Sequence, residues 1–162
     1  MSQPVSEILY AADLSPGCEE ALAYAIRLGK QLGAKLRVVT VIEDKRETSV
    51  VEVDSYVPQG ALDQYHDDNA RRVKERLEAQ IAAFSVERPD LNIGKTVYEI
   101  KVSEGDDIAH LILVEAQAAP TDMILLGTTI NENPILGFLF GSVVQDVIRK
   151  SPVPVLFLPV RD

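Results

Sequence analysis

Two polar turns carry the residues whose types could bind a ligand. Asp13 and Ser15 follow the apolar run at residues 8–12, and Gly141 and Ser142 stand at the start of a later helical pattern. A helix N-terminus offers free backbone N–H groups and the positive end of the helix dipole, so it can hold an anion such as a phosphate. The same residue types also serve as simple turn and N-cap residues, which is the structural alternative at both turns. Both turns are therefore candidate anion-binding sites.

Other common catalytic patterns are missing from the sequence. It contains neither a Gly-x4-Gly-Lys-(Ser/Thr) phosphate loop nor a Gly-x-Ser-x-Gly nucleophile turn. His66 and His110 each stand alone on a predicted helix, without a neighbour that would tune an imidazole for catalysis. Cys18 is the only cysteine, and no His, Cys or Asp cluster has the spacing of a metal site. We therefore assign no catalytic residue and no metal ligand.

Length and charge bound the class of protein. The chain of 162 residues has 16 Lys and Arg against 25 Asp and Glu, a formal net charge of −9, and it suits a single domain covering residues 1–162. The acidic balance opposes nucleic-acid binding, which depends on cationic contacts to phosphates. No apolar run approaches the length that spans a bilayer, and the N-terminal residues lack a secretory signal pattern. We expect a cytoplasmic protein with no nucleic-acid partner and no direct membrane insertion.

Apolar periodicity alternates between strand-like and helix-like along the chain. Short apolar runs predict strands at residues 8–12, 36–42, 96–102, 123–127 and 153–160. Helical spacing predicts helices between Ser15 and Gly33, from about Ala61 to Phe84, from Gly105 to Ala118 and from Gly141 to Ile148. An exposed connection is predicted at 43–60 and a loop at 128–140. Alternating strands and helices imply an α/β fold with an open, doubly wound parallel sheet, which binds ligands beyond the carboxyl ends of its strands.

Three segments carry a resemblance to a known family. They are ILYAADLSPGCEEALAYAIRLGKQLGAKLRVVTVIED near the N-terminus, the stretch from VSEGDD to MILLG, and the C-terminal GSVVQDVIRKSPVPVLFLPV. On these segments the chain resembles the universal stress protein family. The resemblance implies a five-stranded parallel sheet in the order 3-2-1-4-5, which would bring the turns after strands one and four together. It also implies a regulatory role in stress response, with ATP or AMP as ligand, Mg²⁺ accompanying ATP, and at most slow ATP hydrolysis.

The resemblance also implies roles for particular residues. Asp13 would accept hydrogen bonds from the adenine or the ribose, Ser15 belongs to the same turn and site, and Ala11 would line an adenine pocket beside Val41. A second group would offer backbone amides and a hydroxyl to the ribose and the phosphates: Gly127, Asn131, Gly141, Ser142 and Val143.

The loop that ends at Gly141 departs from the family pattern Gly-x2-Gly-x9-Gly-(Ser/Thr). The second glycine position is Ile130 at the expected spacing, or Asn131 if one residue is inserted. Asn adopts positive φ more readily than most residues, but its side chain fills space that a glycine would leave for a phosphate. An alternative function follows, a nucleotide-independent interaction and dimerisation protein. In that case the apolar run at residues 135–140 would cover the pocket or present a partner surface.

The last predicted strand is rich in Val, Leu and Phe and would be an edge of the sheet. An uncovered apolar edge invites pairing with another chain. The resemblance implies a homodimer in which this strand pairs with its two-fold mate through Val153, Val155 and Phe157. It also implies a regulatory protein partner, which the sequence does not identify.

Overall fold

The computed structural model describes residues 3–12, 18–43, 59–129 and 141–160. These residues form five strands, five α-helices and one 3-10 helix. In chain order the elements are β1 (Glu7–Ala12), α1 (Cys18–Leu32), β2 (Lys35–Glu43), α2 (Gln59–Glu87), the 3-10 helix (Pro89–Leu91), α3 (Ile93–Thr96), β3 (Val97–Gly105), α4 (Ile108–Ala118), β4 (Met123–Thr129), α5 (Ser142–Lys150) and β5 (Val155–Val160). Within those ranges, no helix combines the length and the apolar character needed to cross a membrane.

The five strands form one sheet in the order β3-β2-β1-β4-β5, and all four pairings are parallel. This confirms the predicted fold class and strand order. Strand β1 lies at the centre, where Ala11 is in register with Val39 of β2 on one side and with Leu126 of β4 on the other. The chain adds β2 and β3 on one side of β1 and then crosses back to add β4 and β5 on the other side. In such a sheet the winding direction reverses between β1 and β4, which is where a ligand crevice is expected at the carboxyl end of the strands.

Alternation along the strands gives the sheet two apolar faces. On the face that we call the α1 face, Ile8 and Tyr10 of β1 pack with Ala21 and Ile26 of α1. On the opposite face, which we call the α4–α5 face, Leu9 packs in a cluster with the inward residues of α4 and α5. Because both faces are covered, the strands are apolar on both sides, as the sequence pattern of β2 predicts.

Two helix boundaries have clear local causes. Helix α1 ends at Leu32, and Gly33 follows with a φ of 66°, the left-handed conformation typical of glycine after a helix. This agrees with the predicted stop at Gly33. Helix α4 begins at Ile108, three residues later than predicted, because β3 continues through Gly105 and Asp107 caps the helix. The Asp107 carboxylate accepts a hydrogen bond of 2.9 Å from the His110 N–H.

The C-terminal strand also starts later than predicted. Strand β5 begins at Val155 rather than at Val153, because the chain turns just before it. The Ser151 hydroxyl donates to the Val153 carbonyl at 2.7 Å and accepts from the Val153 N–H at 3.2 Å. Val153 therefore lies in the turn that immediately precedes β5. The short helices between α2 and β3 were not predicted; they are joined by Asn92, which has a φ of 51°.

Asp122 ties the chain before β1 to the start of β4. One oxygen of its carboxylate, Oδ2, accepts from the Ser6 N–H at 2.8 Å, the Ser6 hydroxyl at 2.9 Å and the Glu7 N–H at 2.9 Å. The backbone hydrogen bonds from Ser6 and Glu7 hold the pKa of Asp122 below its ordinary value. The ionised carboxylate is thus the form that stabilises this junction.

We expect this stabilisation to depend on pH with a definite sign. Since the pKa is lower in the folded state, the contribution is complete above the ordinary Asp pKa and is lost as the pH falls through the lowered one. Asp122→Asn should lower the urea midpoint at neutral pH, and the difference from the parent protein should shrink in acid. Asp67→Asn, at an exposed position on α2, is the control and should change neither. A difference that stayed constant down to acid pH would contradict the assignment.

Candidate functional site

Three of the predicted site residues pack in or against one apolar cluster at the carboxyl end of the sheet. Ala11 is buried in the α4–α5 cluster, and Val41 and Val143 are partly buried and pack against the same cluster. Ala11 and Val41 share this face because they are an even number of residues along their strands from the other residues that point into it. Val143 reaches it from the first turn of α5. The result is an apolar wall beside the carboxyl ends of β1 and β2.

The N-terminus of α5 opens beside this wall. Its N-cap residue is Gly141, which has no side chain to bond the first turn, and Val144 is the first residue whose N–H donates to the Gly141 carbonyl, at 2.9 Å. Helix geometry leaves the N–H groups of Ser142 and Val143 without an intrahelical acceptor. These two amides and the dipole of α5 are available to an anion.

Ser142 was a candidate for the N-cap of α5, but the N-cap is Gly141. It is the first helical residue and follows the N-cap, so its hydroxyl is not in the N-cap position that bonds the amides of the first turn. Its side chain is exposed. A Cβ built on Gly141 would meet nothing within 4 Å among the described residues.

Gly127 lies inside β4 and does not start the loop as predicted. It is in register with Leu158 of β5, and β4 continues through Thr129. A Cβ on Gly127 would lie 2.8 Å from the Ala21 Cβ and 3.2 Å from the Tyr10 hydroxyl oxygen. Both contacts are closer than real Cβ atoms comfortably tolerate. Glycine is therefore required here by the close packing of α1 on β4, on the face opposite the apolar wall.

The remaining predicted site residues lie outside the described part of the chain. They are Asp13 and Ser15 in the turn after β1, and Asn131 in the loop after β4. The alternative glycine position Ile130 and the apolar run at 135–140 also fall outside it. The contribution of these residues to the crevice stays a prediction.

A buried polar cluster beneath α4 was missed by the sequence analysis. Arg37 is only 4% exposed; its guanidinium donates to the Glu115 carbonyl at 2.8 Å and to the Thr121 hydroxyl at 3.1 Å. The Glu115 carboxylate is also buried and pairs with the Lys101 ammonium at 2.7 Å. Ser103 donates to the same carboxylate at 3.3 Å. The sequence feature that could have indicated this cluster is a single arginine, Arg37, within the apolar run of β2.

This cluster holds α4 in place over β2 and β3. Buried charges are costly unless each is paired and hydrogen-bonded, so the buried Arg37 and Glu115 are both satisfied only when α4 sits at one position on the sheet. Lys101, which pairs with Glu115, is itself half-exposed. The position of α4 in turn fixes the cluster in which Ala11 and Val41 pack. The cluster therefore supports the apolar wall.

The described residues bring together no metal site. Among residues 3–12, 18–43, 59–129 and 141–160, no group of three or more His, Cys, Asp or Glu side chains could hold a metal ion. His110 is exposed on α4, away from any such group. What the described geometry can do is bind: an apolar wall beside a helix N-terminus suits a flat base linked to an anion.

The packing at Gly127 leads to a test of why this residue is glycine. Gly127→Ala should destabilise the fold by about 1–3 kcal/mol, the usual cost of overpacking, since Ala21 and Tyr10 must move. Urea denaturation followed by circular dichroism measures the change. Gly94→Ala is the matched control, because a Cβ there meets nothing within 4 Å among the described residues. Equal stability of the two variants would show that the packing is not what requires glycine.

Comparisons with known proteins agree on one family. The model of the universal stress protein family matches residues 5–159. The stress response protein NhaX of Bacillus subtilis is 29% identical over 93% of this chain and 96% of its own length.

Solved structures show the same fold at lower sequence identity. A universal stress protein family member from Burkholderia pseudomallei superposes with a TM-score of 0.64 and 22% identity, over 99% of this chain and 100% of that one. The universal stress protein from Archaeoglobus fulgidus in complex with dAMP has a TM-score of 0.57 and 19% identity, over 96% and 98% of the two chains.

Proposed function

The chain belongs to the universal stress protein family, and from this membership and the geometry of its crevice we propose that it is a regulatory stress-response module that binds an adenine nucleotide, AMP or ATP, between β1 and β4. The base would lie against the apolar wall of Ala11 and Val41. The phosphate would lie at the N-terminus of α5. Binding would alter contacts with a protein partner, and no hydrolytic role is needed.

One observation carries the proposal: Val143 takes part in both halves of the site. Its side chain packs in the apolar wall, and its N–H is one of the two amides that α5 leaves free. An apolar surface and an anion-binding helix end therefore meet at one residue. A nucleotide has the same two parts, a flat base and a phosphate, joined by a sugar.

The N-terminus of α5 alone is too weak a phosphate site, so the nucleotide needs further contacts. A helix dipole contributes only about 0.3–1 kcal/mol per charge, so two amides of α5 alone would hold a phosphate weakly. We infer that Asp13, Ser15 and Asn131, together with the Ser142 hydroxyl and the backbone at Gly127 and Gly141, supply the further contacts to the ribose and the phosphates. If ATP is the ligand, its phosphates would bring the accompanying Mg²⁺ to the site.

The dAMP complex of the Archaeoglobus fulgidus protein supports this proposal. That protein shares the fold over nearly the whole of both chains, and it binds an adenine nucleotide. At 19% identity, the similarity of the two chains is evidence for a shared fold and not for a shared ligand. For this chain, the argument for a nucleotide still depends on Ala11, Val41 and the start of α5.

Calorimetric titration with AMP and with ATP tests the proposal. We expect saturable binding to the parent protein and roughly tenfold weaker binding, about 1.4 kcal/mol, to Gly141→Val. The added side chain stands directly before the two free amides, and its Cβ meets none of the described residues within 4 Å, so it should hinder the anion without disturbing the described fold. Gly60→Val on α2 is the control, because its Cβ also meets nothing within 4 Å among the described residues. No saturation at millimolar nucleotide would refute the proposal.

A nucleotide-independent interaction protein remains the second candidate. The observation that favours it is the packing of Gly127 against Ala21 and Tyr10, because this glycine is needed whether or not a phosphate is bound. The sequence departure at the second glycine position of the family pattern, where Ile130 or Asn131 stands, also favours this candidate. Nucleotide that copurifies with freshly isolated protein would count against this candidate.

We also propose a homodimer through β5. This strand is an edge of the sheet, and Val155 and Phe157 are only partly buried where they pack against the α4–α5 face. Val153 stands in the turn before β5, so it would flank the interface instead of pairing within it. Partly covered apolar side chains on an edge strand are a surface that a second copy can complete.

Light scattering at micromolar concentration tests the homodimer. Val155→Asp should give a monomer, because it places an unpaired charge in the apolar interface. Val86→Asp, at a position on α2 that is 82% exposed, should leave the mass unchanged. A parent protein that is already monomeric would rule out the interface.

A further inference from the structure

Thr40 of β2 places a hydroxyl in the core that apolar packing does not require. The residue is only 2% exposed and lies on the α1 face, where Leu36 and Val38 of the same strand are apolar. Thr40 shares that face because it is an even number of residues along β2 from both. A valine of the same shape would fill this position without burying a polar group. Since a buried hydroxyl is costly unless it is hydrogen-bonded, its partner shows what the group does.

The partner of this hydroxyl is the backbone of β1. The Thr40 hydroxyl donates a hydrogen bond of 3.0 Å to the Ala12 carbonyl. Ala12 is the last residue of β1 and is in register with Thr40. A side chain of the neighbouring strand thus bonds the β1 backbone at the residue where β1 ends.

The end of β1 is held from one side of the sheet. In the described part of the chain, the pairing of β1 with β4 ends at Ala11, opposite Leu126, whereas the pairing with β2 continues to Ala12. Strand β4 itself continues to Thr129 beside β5. The two halves of the sheet therefore separate after Ala11, at the place where the crevice is expected. The bond from Thr40 secures β1 on the β2 side of this separation.

The orientation of the Ala12 carbonyl matters for the proposed nucleotide site. A peptide unit is planar, so a hydrogen bond that fixes its carbonyl also fixes the direction in which the chain leaves the strand. The next residue in the sequence is Asp13, which belongs to the proposed site. The residue before Ala12 is Ala11, which belongs to the apolar wall. Thr40, itself too deeply buried to contact a ligand, therefore acts on the backbone between two residues of the site.

We propose that Thr40 is a positioning residue for nucleotide binding: its hydroxyl holds the last peptide unit of β1, and so directs the chain toward Asp13 at the rim of the crevice. This inference rests on the proposed function. Thr40 acts through Ala12 and does not touch the nucleotide. Without the hydroxyl, the last peptide unit of β1 is free to rotate. The nucleotide must then order it on binding, which lowers the affinity.

Calorimetric titration with AMP tests this role in variants of closely similar shape. Thr40→Val removes the hydroxyl and should weaken AMP binding roughly fivefold. Thr40→Ser keeps the hydroxyl and should recover most of the affinity. Thr96→Val is the matched control, because Thr96 is also a buried threonine, 7% exposed, but directly precedes β3 at the opposite, amino-terminal end of the sheet. It should bind AMP like the parent protein, and circular dichroism should show all three variants folded.

A double-mutant cycle with Asp13→Ala separates positioning from a general loss of packing. If Thr40 acts through Asp13, Thr40→Val should weaken AMP binding much less in the Asp13→Ala protein than in the parent. The proposal would be overturned by equal affinity of the parent and Thr40→Val, by equal weakening in both backgrounds, or by a Thr40→Ser variant as weak as Thr40→Val. A parent protein that binds no AMP would refute the proposed function as well, so the two failures are distinguishable.

Discussion

Parallel pairing of β1 on both of its sides is the constraint on which the rest of the structure depends. Because β1 pairs with β2 and with β4, the chain must wind one way for the first half of the sheet and the other way for the second. The reversal leaves a gap between covering helices at the carboxyl end of β1. Ala11, at that end, and Val143, at the start of α5, pack in or against the same apolar cluster even though they are distant in the chain.

The buried polar cluster is the second support of the site. The apolar contacts of α4 alone would tolerate small shifts along the sheet, because hydrophobic contacts have little directionality. The bonds from Arg37 to the Glu115 carbonyl and from Lys101 to the Glu115 carboxylate allow one position. Polar groups outside the proposed site thus set the position of the apolar wall against which we propose the base lies.

Much of this architecture could be predicted from sequence, for identifiable reasons. The alternating periods of apolar residues predicted a parallel α/β sheet, because a period is a local property. Strand order is not local, and it was predicted only through the family resemblance. The resemblance also implied that Ala11 lies beside Val41, and both residues pack on the α4–α5 face; their role toward a ligand stays a prediction.

Other features could not be predicted because they depend on contacts between distant segments. One such feature is the role of Gly127. It was predicted to bind phosphate as part of the family loop pattern, but Ala21 and Tyr10 pack closely against it on the α1 face. The burial of Arg37 was another, since its partners lie 78 and 84 residues further along the chain. The hydrogen bond that Thr40 donates to the end of β1 is a third, because it depends on the register of β2 against β1.

The packing of Gly127 has a consequence for how such sequences are interpreted across a family. A glycine held in place by a neighbouring helix persists under selection for folding alone, so a lineage could abandon its ligand and still retain this position. A glycine whose Cβ would meet none of the described residues, such as Gly141, lacks that packing constraint and would be free to drift once the ligand was lost. Counting the glycines of the family pattern therefore overstates how much of a binding function has survived, and the informative positions are those that packing does not hold.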